Sequence, residues 1–318
     1  MRNVTFDIMK GIGILAVIIG HINDIPYMPY RHICFSFHMP LFFLLAGYFH
    51  HNGNTIDVCR KSAVRLLVPY CFTSFVMICH SMYKSILTND LLEVPKEVCA
   101  AFFASGGTHS SLWLSEFRPI GAIWFLVALF WCKNIYNYIF VSDFKWKYML
   151  VIVLSICATL IDRYLINLPF AILPGLSAMI FYMIGNFVKE HSIPLWVYLI
   201  ALLAYPLSVV FCRIYMVQCY YSYYPLAVLG ASGGTMLIYI ISQSVKKQSF
   251  LAHFFSWLGR MSLVVLCTHM VEALCGFYKY SQLPNDLIIQ VPVRIIGTLI
   301  IVYVLTKINF SRRIFQIQ

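Results

Sequence analysis

The sequence predicts an all-α polytopic membrane protein, a transmembrane bundle of about ten spanning helices. Of its 318 residues, 61% are hydrophobic and only 11% are charged, and the mean hydropathy is +0.79. A soluble domain carries about 25% charged and about 45–50% apolar residues, so this chain has too little charge to coat a soluble surface. The composition therefore excludes a soluble enzyme, a nucleic-acid-binding domain and a disordered protein.

Ten apolar runs are long enough to cross a bilayer, since a spanning helix needs about 20 mostly apolar residues. They cover residues 6–24, 33–50, 64–87, 119–140, 148–165, 170–188, 194–212, 223–243, 261–278 and 288–307. Short polar turns separate most of them, and one long acidic loop lies at about 88–119. The sequence shows no repeat and no soluble domain, so residues 1–318 are predicted to form one membrane domain.

The first apolar run is predicted to be a retained helix and not a cleaved signal peptide. Arg2 and Lys10 precede its uninterrupted apolar part, residues 11–20, and His21, Asn23 and Asp24 follow that part where a cleavage site of small residues is expected. Lysine and arginine are more frequent in the segments that face the cytoplasm if the N-terminus lies there. This bias predicts two cytoplasmic termini and an external acidic loop, in a protein of the cell (inner or plasma) membrane.

The net charge of +11 and the 11 cysteines have ordinary explanations in such a protein. Basic residues collect in cytoplasmic loops, so the charge does not require a nucleic-acid partner. The sequence contains no CxxC motif, and several cysteines lie inside apolar runs. We therefore predict that most cysteines are free buried thiols, with no metal site and no permanently bound cofactor.

Ionisable residues inside a spanning segment are costly and usually mark a site or a pathway. The first helix holds Asp7, Lys10 and His21. Asp7 and Lys10 are three residues apart and so are neighbours on one face. Lys10 and His21 are close to three helical turns apart, about 16 Å along the same face. This polar stripe is predicted to point into the bundle, where Gly13 and Gly20 permit another helix or a ligand to come close.

Three histidines inside apolar runs each have two interpretations. His21 is either a structural histidine, hydrogen-bonded within the bundle, or a general base, because a neutral imidazole accepts a proton from a hydroxyl nucleophile. His38 lies two residues before Pro40, which bends the second helix, so it either lines a cavity or packs in the core. His269 precedes Glu272 by one turn of the ninth helix, as an outer-surface ion pair or as part of a site.

Arg60, Lys61 and Arg65 place three cations where the third helix begins. The plain interpretation is the usual basic flank of a membrane helix on its cytoplasmic side. The functional interpretation is an anion site for phosphate groups, which cationic side chains suit.

Five segments, in their order along the chain, resemble the integral-membrane acyltransferase family 3, and its fucose 4-O-acetylase-like sugar O-acetyltransferases in particular. In the first, Lys10 and His21 fit the family's signature of a basic residue, ten intervening residues and a histidine. The resemblance covers nearly the whole chain. The five segments are residues 6–21, 37–48, 65–70, 123–126 and 258–269.

The resemblance implies an O-acyltransferase, which transfers groups other than amino-acyl groups. Such an enzyme moves an acyl group, by default acetyl, from cytoplasmic acetyl-CoA or another acyl-CoA to a hydroxyl of a cell-surface or lipid-linked glycan. His21 is the implied catalytic residue, as general base or as acyl acceptor, with Lys10 and Asp7 as its partners on the first helix. The bilayer, the acyl-CoA and the glycan are thus the expected partners.

The resemblance also implies a donor site at the start of the third helix. Arg65, Lys61 and Arg60 are the implied ligands of the CoA phosphates, although Ser62 stands where the family often has the first arginine of an Arg-x-x-Arg pair. Candidates for the lining of the substrate pocket are His38, Trp124 and His269.

A polytopic transporter or flippase of a polysaccharide pathway is the alternative hypothesis. In it, Asp7, Lys10, His21 and His38 form a translocation or proton path. Inverted halves with matching broken helices would favour transport, and the sequence shows no such halves. A scaffold in a polysaccharide assembly complex is a third hypothesis, but it explains neither His21 nor the five motifs.

Overall fold

The computed structural model describes residues 3–22, 29–90, 92–104, 119–164, 168–275 and 287–316. These residues are mostly helical, and their one sheet is a short antiparallel hairpin that pairs Ile214 with Tyr221. The elements in chain order are α1 Val4–Gly20, α2 Pro29–Tyr48, α3 Thr55–Ser62, α4 Val68–Thr88, α5 Glu93–Phe103, α6 Trp124–Val141, α7 Lys147–Tyr164, α8 Ile172–Ser177, α9 Met179–Glu190, α10 Leu195–Phe211, β1 Ile214–Tyr215, β2 Tyr220–Tyr221, α11 Tyr224–Ser244, α12 Phe250–Arg260, α13 Ser262–Cys275, α14 Leu287–Lys307 and α15 Asn309–Ile314.

The predicted all-α bundle is confirmed. Each predicted helix overlaps one observed helix or, at 64–87 and 170–188, two consecutive ones. Five helical stretches of the described residues are long and apolar enough to cross a membrane, or six if a bent pair counts as one span. The chain is therefore a multi-pass membrane protein, whereas ten spans remain a prediction. The five stretches are Thr55–Thr88, Trp124–Val141, Ile172–Glu190, Tyr224–Ser244 and Ile289–Lys307.

Helix α1 begins at a side-chain cap and packs closely against α2. The Asn3 side chain accepts a hydrogen bond from the Thr5 amide at 3.0 Å, which satisfies a donor that the first turn leaves free. A Cβ added to Gly20 would lie 3.0 Å from the Phe35 ring, and one added to Gly13 would lie 3.1 Å from Leu41. The predicted close approach of a second helix at these two glycines is confirmed.

Helix α12 was not predicted. Its packing against α1 sets the direction of α13. It meets α13 at a bend of 74° and packs along the first half of α1. A Cβ on Gly259 would lie 1.8 Å from the Asp7 carbonyl oxygen, and one on Gly11 would lie 2.2 Å from the Phe255 oxygen. The two backbones therefore touch, and the bend sends α13 toward the C-terminal end of α1.

Two asparagines of α6 hold the segment that follows α2. The Asn137 side chain donates to the Gly53 carbonyl at 3.0 Å and accepts from the Gly53 amide at 3.1 Å. One turn earlier, Asn134 Nδ2 donates to Ser62 Oγ at 2.9 Å. The chain then forms a π-helical turn at Ala63–Leu67 before α4, a distortion that is frequent at functional sites.

The predicted loop at 88–119 is wrong for Glu93–Phe103, which form α5. Its acidic residues face α4: Lys84 Nζ lies 2.7 Å from Glu93 Oε2, and Ser81 Oγ donates to Glu97 at 3.4 Å. Packing against α4 thus turns a polar segment into a helix. Residues 105–118 of the predicted loop lie outside the described residues.

Candidate active site

Three histidines from three helices meet near the C-terminal end of α1. His21 follows the last residue of α1, His38 lies in α2 and His269 lies in α13. The ring centroid of His21 is 6.0 Å from that of His38 and 6.2 Å from that of His269. These residues come from three separate motifs, and the structure brings them together; we call them the histidine cluster.

Backbone carbonyls fix the tautomer of two of these rings. His21 Nδ1 lies 2.8 Å from the Val17 oxygen, and His38 Nδ1 lies 2.5 Å from the Cys34 oxygen. Because a carbonyl oxygen only accepts hydrogen bonds, each Nδ1 carries a proton. The neutral ring then keeps its lone pair on Nε2, which is the atom that a general base needs.

Several buried polar atoms of α2, α13 and α14, those of two cluster histidines among them, have no hydrogen-bond partner among the described residues. His38 is 1% exposed and His269 is 0% exposed, yet Nε2 of His38 and both ring nitrogens of His269 are unpaired there. The same holds for Thr268 Oγ1, Glu272 Oε2 and Thr298 Oγ1. Since buried polar groups are nearly always hydrogen-bonded, this set is typical of a place where a polar ligand or ordered water binds.

Arg294 of α14 joins His269 and Glu272 in this region. It interacts electrostatically with both side chains, and Glu272 is buried. Because His269 and Glu272 are both buried, they do not form an ion pair at an outer surface, and their part in a site stays a prediction. Sequence reasoning gave Arg294 no role, although Gln290, Arg294 and Thr298 recur every four residues on one face of an apolar helix.

Lys10 and Asp7 lie on α1 away from the histidine cluster. Lys10 Nζ is 5.5 Å from the Phe49 ring centroid, just beyond the end of α2, whereas His21 faces Phe35 near its start. Lys10 and His21 therefore both face α2, which confirms the prediction that these two residues share one face of α1. Asp7 is buried where α12 crosses α1. About 16 Å of helix separates Lys10 from His21, so its catalytic role stays a prediction.

A second group of polar side chains lies at the Lys10 end of the bundle. Lys61 of α3, Arg65 of the π-helical turn and Lys133 of α6 are close enough for their charges to repel. Lys61 and Arg65 are exposed and Lys133 is half-buried, and the Asn134–Ser62 hydrogen bond fixes the two segments. We call these three residues the cation cluster.

Arg60, the third residue predicted to bind the CoA phosphates, is exposed on α3. The sequence-based predictions give Lys133 no role, although a lysine among the apolar residues of α6 is a signal for one.

Trp124 begins α6 and is buried in the core. The residues just before it contact the helix that carries His269: the Ala122 amide donates to Met270 Sδ at 3.2 Å. Gly121 adopts a φ of +76° there, and a Cβ on it would lie 2.0 Å from the Met270 methyl carbon. The residues just before α6 therefore pack against α13 at Met270, the residue next to His269. Trp124 itself is part of the core.

Comparisons with known proteins agree with the motifs. The family model for the acyltransferase domain (acyltransferase family 3) matches residues 3–307. The chain is 31% identical over 142 residues to nodulation protein NolL of Sinorhizobium fredii, a match of 40% of this chain and 34% of that protein. It thus spans about a third of the length of this curated relative. No solved structure matches the chain significantly. Because the family model covers nearly all of it, the chain belongs to acyltransferase family 3, as the motifs predict.

Proposed function

We propose that the protein moves an acyl group, by default acetyl, from cytoplasmic acyl-CoA to a hydroxyl of a cell-surface or lipid-linked glycan. The observation that supports this most is the histidine cluster. His21 has a tautomer that suits a base, and the His38 and His269 rings beside it carry buried nitrogens with no hydrogen-bond partner among the described residues. Such surroundings suit a sugar, whose hydroxyl groups both donate and accept hydrogen bonds.

In the proposed reaction, His21 Nε2 takes the proton of the acceptor hydroxyl while the hydroxyl oxygen attacks the thioester carbonyl carbon. The bond from carbonyl carbon to sulfur breaks, and the leaving thiolate takes the proton from the imidazolium to give the CoA thiol. The Val17 carbonyl holds the His21 ring in place through Nδ1. In the alternative route, the same Nε2 first attacks the thioester carbonyl carbon and expels the CoA thiolate. The acceptor hydroxyl then attacks the acyl-histidine, the bond from Nε2 to the acyl carbon breaks, and the thiolate takes the hydroxyl proton.

The cation cluster is the proposed binding site for the CoA phosphates. Phosphates suit guanidinium and ammonium groups, and three mutually repelling cations gain stability when a polyanion binds between them. The cluster lies at the Lys10 end of α1 and the histidine cluster at the other end. The acyl arm of the donor therefore has to run along the face of α1 that carries Lys10 and His21.

The Lys10 end is proposed to face the cytoplasm, with both termini on that side of the cell membrane. The bias of Lys and Arg along the sequence supports this orientation. It places the donor phosphates on the side where acyl-CoA is made and directs the histidine cluster toward the outer leaflet, where a lipid-linked glycan is accessible.

Transport of a glycan is the second candidate, because the bent pair of α12 and α13 resembles the broken helices of transporters. Among the described residues there is one such pair and no matching second one, as an inverted repeat would require. The resemblance to transporters is thus limited to a single feature.

The two candidates differ in what happens to a labelled acetyl group. The purified protein in lipid nanodiscs is given acetyl-CoA with a labelled acetyl group and a panel of glycans. Acyl transfer predicts a labelled glycan and an equal amount of free CoA. A glycan that crosses the membrane of sealed vesicles unchanged, with no label transferred, would contradict the proposal and favour transport.

A further inference from the structure

One face of α2 carries the cation Arg31 at one end and His38 of the histidine cluster at the other. Arg31, Phe35 and His38 follow one another at intervals of four and three residues, which places them on the same face of the helix. The Phe35 ring centroid is 5.4 Å from that of His21 and 4.9 Å from that of His38. Arg31 Cζ lies 5.5 Å from the same Phe35 centroid. Phe35 therefore separates the Arg31 guanidinium from the two bases, over about 10 Å of helix.

The β-hairpin adds aromatic rings and a second arginine to this face. The Tyr215 ring centroid lies 6.1 Å from Phe35, and the Tyr220 ring lies 6.1 Å beyond Tyr215 at a tilt of 31°. Arg213 directly precedes β1. His32 of α2 feels the charges of both Arg31 and Arg213, so the three basic side chains share one surface. We call Arg31, His32, Arg213, Phe35 and Tyr215 the basic aromatic shelf.

The positive charge of the shelf has no counterion among the described residues. There, neither Arg31 nor Arg213 pairs with a carboxylate. The Arg213 Nη1 bonds only to backbone carbonyls, that of Cys212 at 3.1 Å and that of Val210 at 3.4 Å. Arg31, His32 and Arg213 are all half-buried. Half-buried charges of one sign favour a bound anion.

The donor does not account for this anion site. The cation cluster that suits the CoA phosphates lies at the other end of α1, about 16 Å from His21 along the helix axis. The shelf instead adjoins the histidine cluster from the opposite side. Its anion must therefore belong to the molecule whose hydroxyl reaches His21.

We propose that the acceptor is an anionic glycan, whose phosphate or carboxylate group is bound by Arg31 and Arg213. A sugar residue next to this group packs its apolar face on Phe35 and Tyr215, and its hydroxyl reaches His21 Nε2. This inference rests on the proposed function and adds to it the charge of the acceptor and the residues that recognise that charge.

Binding of three acceptor probes to the protein in uncharged-lipid nanodiscs tests the shelf without catalysis. The probes are a polyprenyl diphosphate sugar, an oligosaccharide with a uronic acid, and a neutral oligosaccharide of the same length. At least one charged probe is expected to bind more tightly than the neutral one. Arg31→Gln and Arg213→Gln are each expected to weaken its binding about tenfold or more, since a hydrogen bond to a charged group contributes about 1.5–3 kcal/mol.

Matched variants control for misfolding and for unspecific charge effects. Arg31→Lys keeps the charge and is expected to retain most of the binding, whereas Arg312→Gln, an exposed arginine of α15, is expected to change nothing. If the glutamine variants do not fold, the salt dependence of the wild-type protein tests the inference instead. Its affinity for the charged probe must fall as the salt concentration rises. The two charged probes distinguish a phosphate from a carboxylate as the group recognised.

Equal binding of all three probes, with no effect of Arg31→Gln or of salt, overturns the inference. The proposed function fails separately. If no acetyl group is transferred to any glycan while the charged probe still binds at the shelf, acyl transfer is wrong and the anion site stands. If a neutral glycan is acetylated as well as a charged one, acyl transfer stands and the charge of the acceptor is wrong.

Discussion

His21 and His253 make the same local hydrogen bond, from Nδ1 to the carbonyl oxygen four residues earlier, at 2.8 and 2.9 Å. His253 is exposed on α12, whereas His21 lies within 6.2 Å of two further histidine rings. The local bond therefore orients an imidazole but does not make it a base in a site. What distinguishes His21 is the convergence of α2 and α13 on the end of α1.

Arg65 is expected to be a major ligand of the donor. Arg65→Gln should weaken acetyl-CoA binding about 10- to 100-fold, because an ionic hydrogen bond contributes about 1.5–3 kcal/mol. Calorimetry in detergent measures the affinity. Lys145→Gln, another exposed cation of the same end, should leave it unchanged. Equal affinity of the Arg65→Gln and wild-type proteins for acetyl-CoA would show that Arg65 does not bind the donor and acts only as a topology signal.

Lys133 offers a test that separates donor binding from a structural role. Its charge is repelled by Arg65 and Lys61, so Lys133→Gln should relieve repulsion in the free protein and leave its melting temperature unchanged or higher. The same variant should lose part of the rise in melting temperature that acetyl-CoA causes. Thermal unfolding with and without acetyl-CoA measures both. A lower melting temperature with full stabilisation by the donor would show that Lys133 is structural.

The site residues that the sequence predicts are those whose polarity stands out locally. His21, His38 and His269 are polar residues in apolar runs, so each is conspicuous without any knowledge of its neighbours. Their convergence is not visible, because it depends on how α1, α2 and α13 pack. Lys133 is also a polar residue in an apolar run, but its place beside Lys61 and Arg65 is not visible in the sequence, because the Asn134–Ser62 hydrogen bond joins residues far apart in the chain.

At the level of elements, long apolar helices were predictable and short ones were not. The period and length of an apolar run define a spanning helix from the sequence alone. Helices α5 and α12 have 11 residues each, too few to be found by a search for spans of about 20 residues. The hairpin at 214–221 is closed by two hydrogen bonds, from the Ser222 amide to the Arg213 carbonyl and from the Arg213 amide to Ser222 Oγ. No alternating pattern in the sequence predicts it.

The contact of α12 with α1 is expected to be essential for placing His269. Gly259→Ala should destabilise the protein by about 1–3 kcal/mol, the usual result of inserting an atom into a packed interface, and should lower acyl transfer. Gly297→Ala in α14 is the matched control, since nothing described lies within 4 Å of a Cβ there. Alanine is the better helix former, so this control should be neutral or stabilising.

Thermal unfolding and acyl-transfer assays of the Gly259→Ala and Gly297→Ala proteins test this contact between α1 and α12. A Gly259→Ala protein that is as stable and as active as the wild type would show that α1 and α12 do not meet as described.

The whole molecule has two functional ends. The cation cluster and Lys10 lie at one end of α1, and the histidine cluster with the basic aromatic shelf lies at the other. If the first end faces the cytoplasm, the donor and the acceptor approach the same catalytic group from opposite sides of the membrane.

Cysteine labelling tests this orientation. Lys96→Cys in α5 and Lys145→Cys between α6 and α7 are both exposed positions, and each is introduced into a background without reactive thiols. A thiol reagent that does not cross membranes is expected to label Lys96→Cys in intact cells and Lys145→Cys only after permeabilisation. The reverse pattern would invert the topology and place the cation cluster outside.

The central claim is that His21 is the catalytic group of acyl transfer, as general base or as acyl acceptor. The most direct measurement is the rate of labelled acetyl transfer to a glycan by the His21→Gln protein, with His253→Gln as the control that loses the same kind of hydrogen bond. We expect the control to match the wild type and His21→Gln to be folded but slower by at least about 100-fold, the smallest loss that fits general-base catalysis. A His21→Gln protein of normal stability that keeps more than about a tenth of the wild-type rate would contradict the claim.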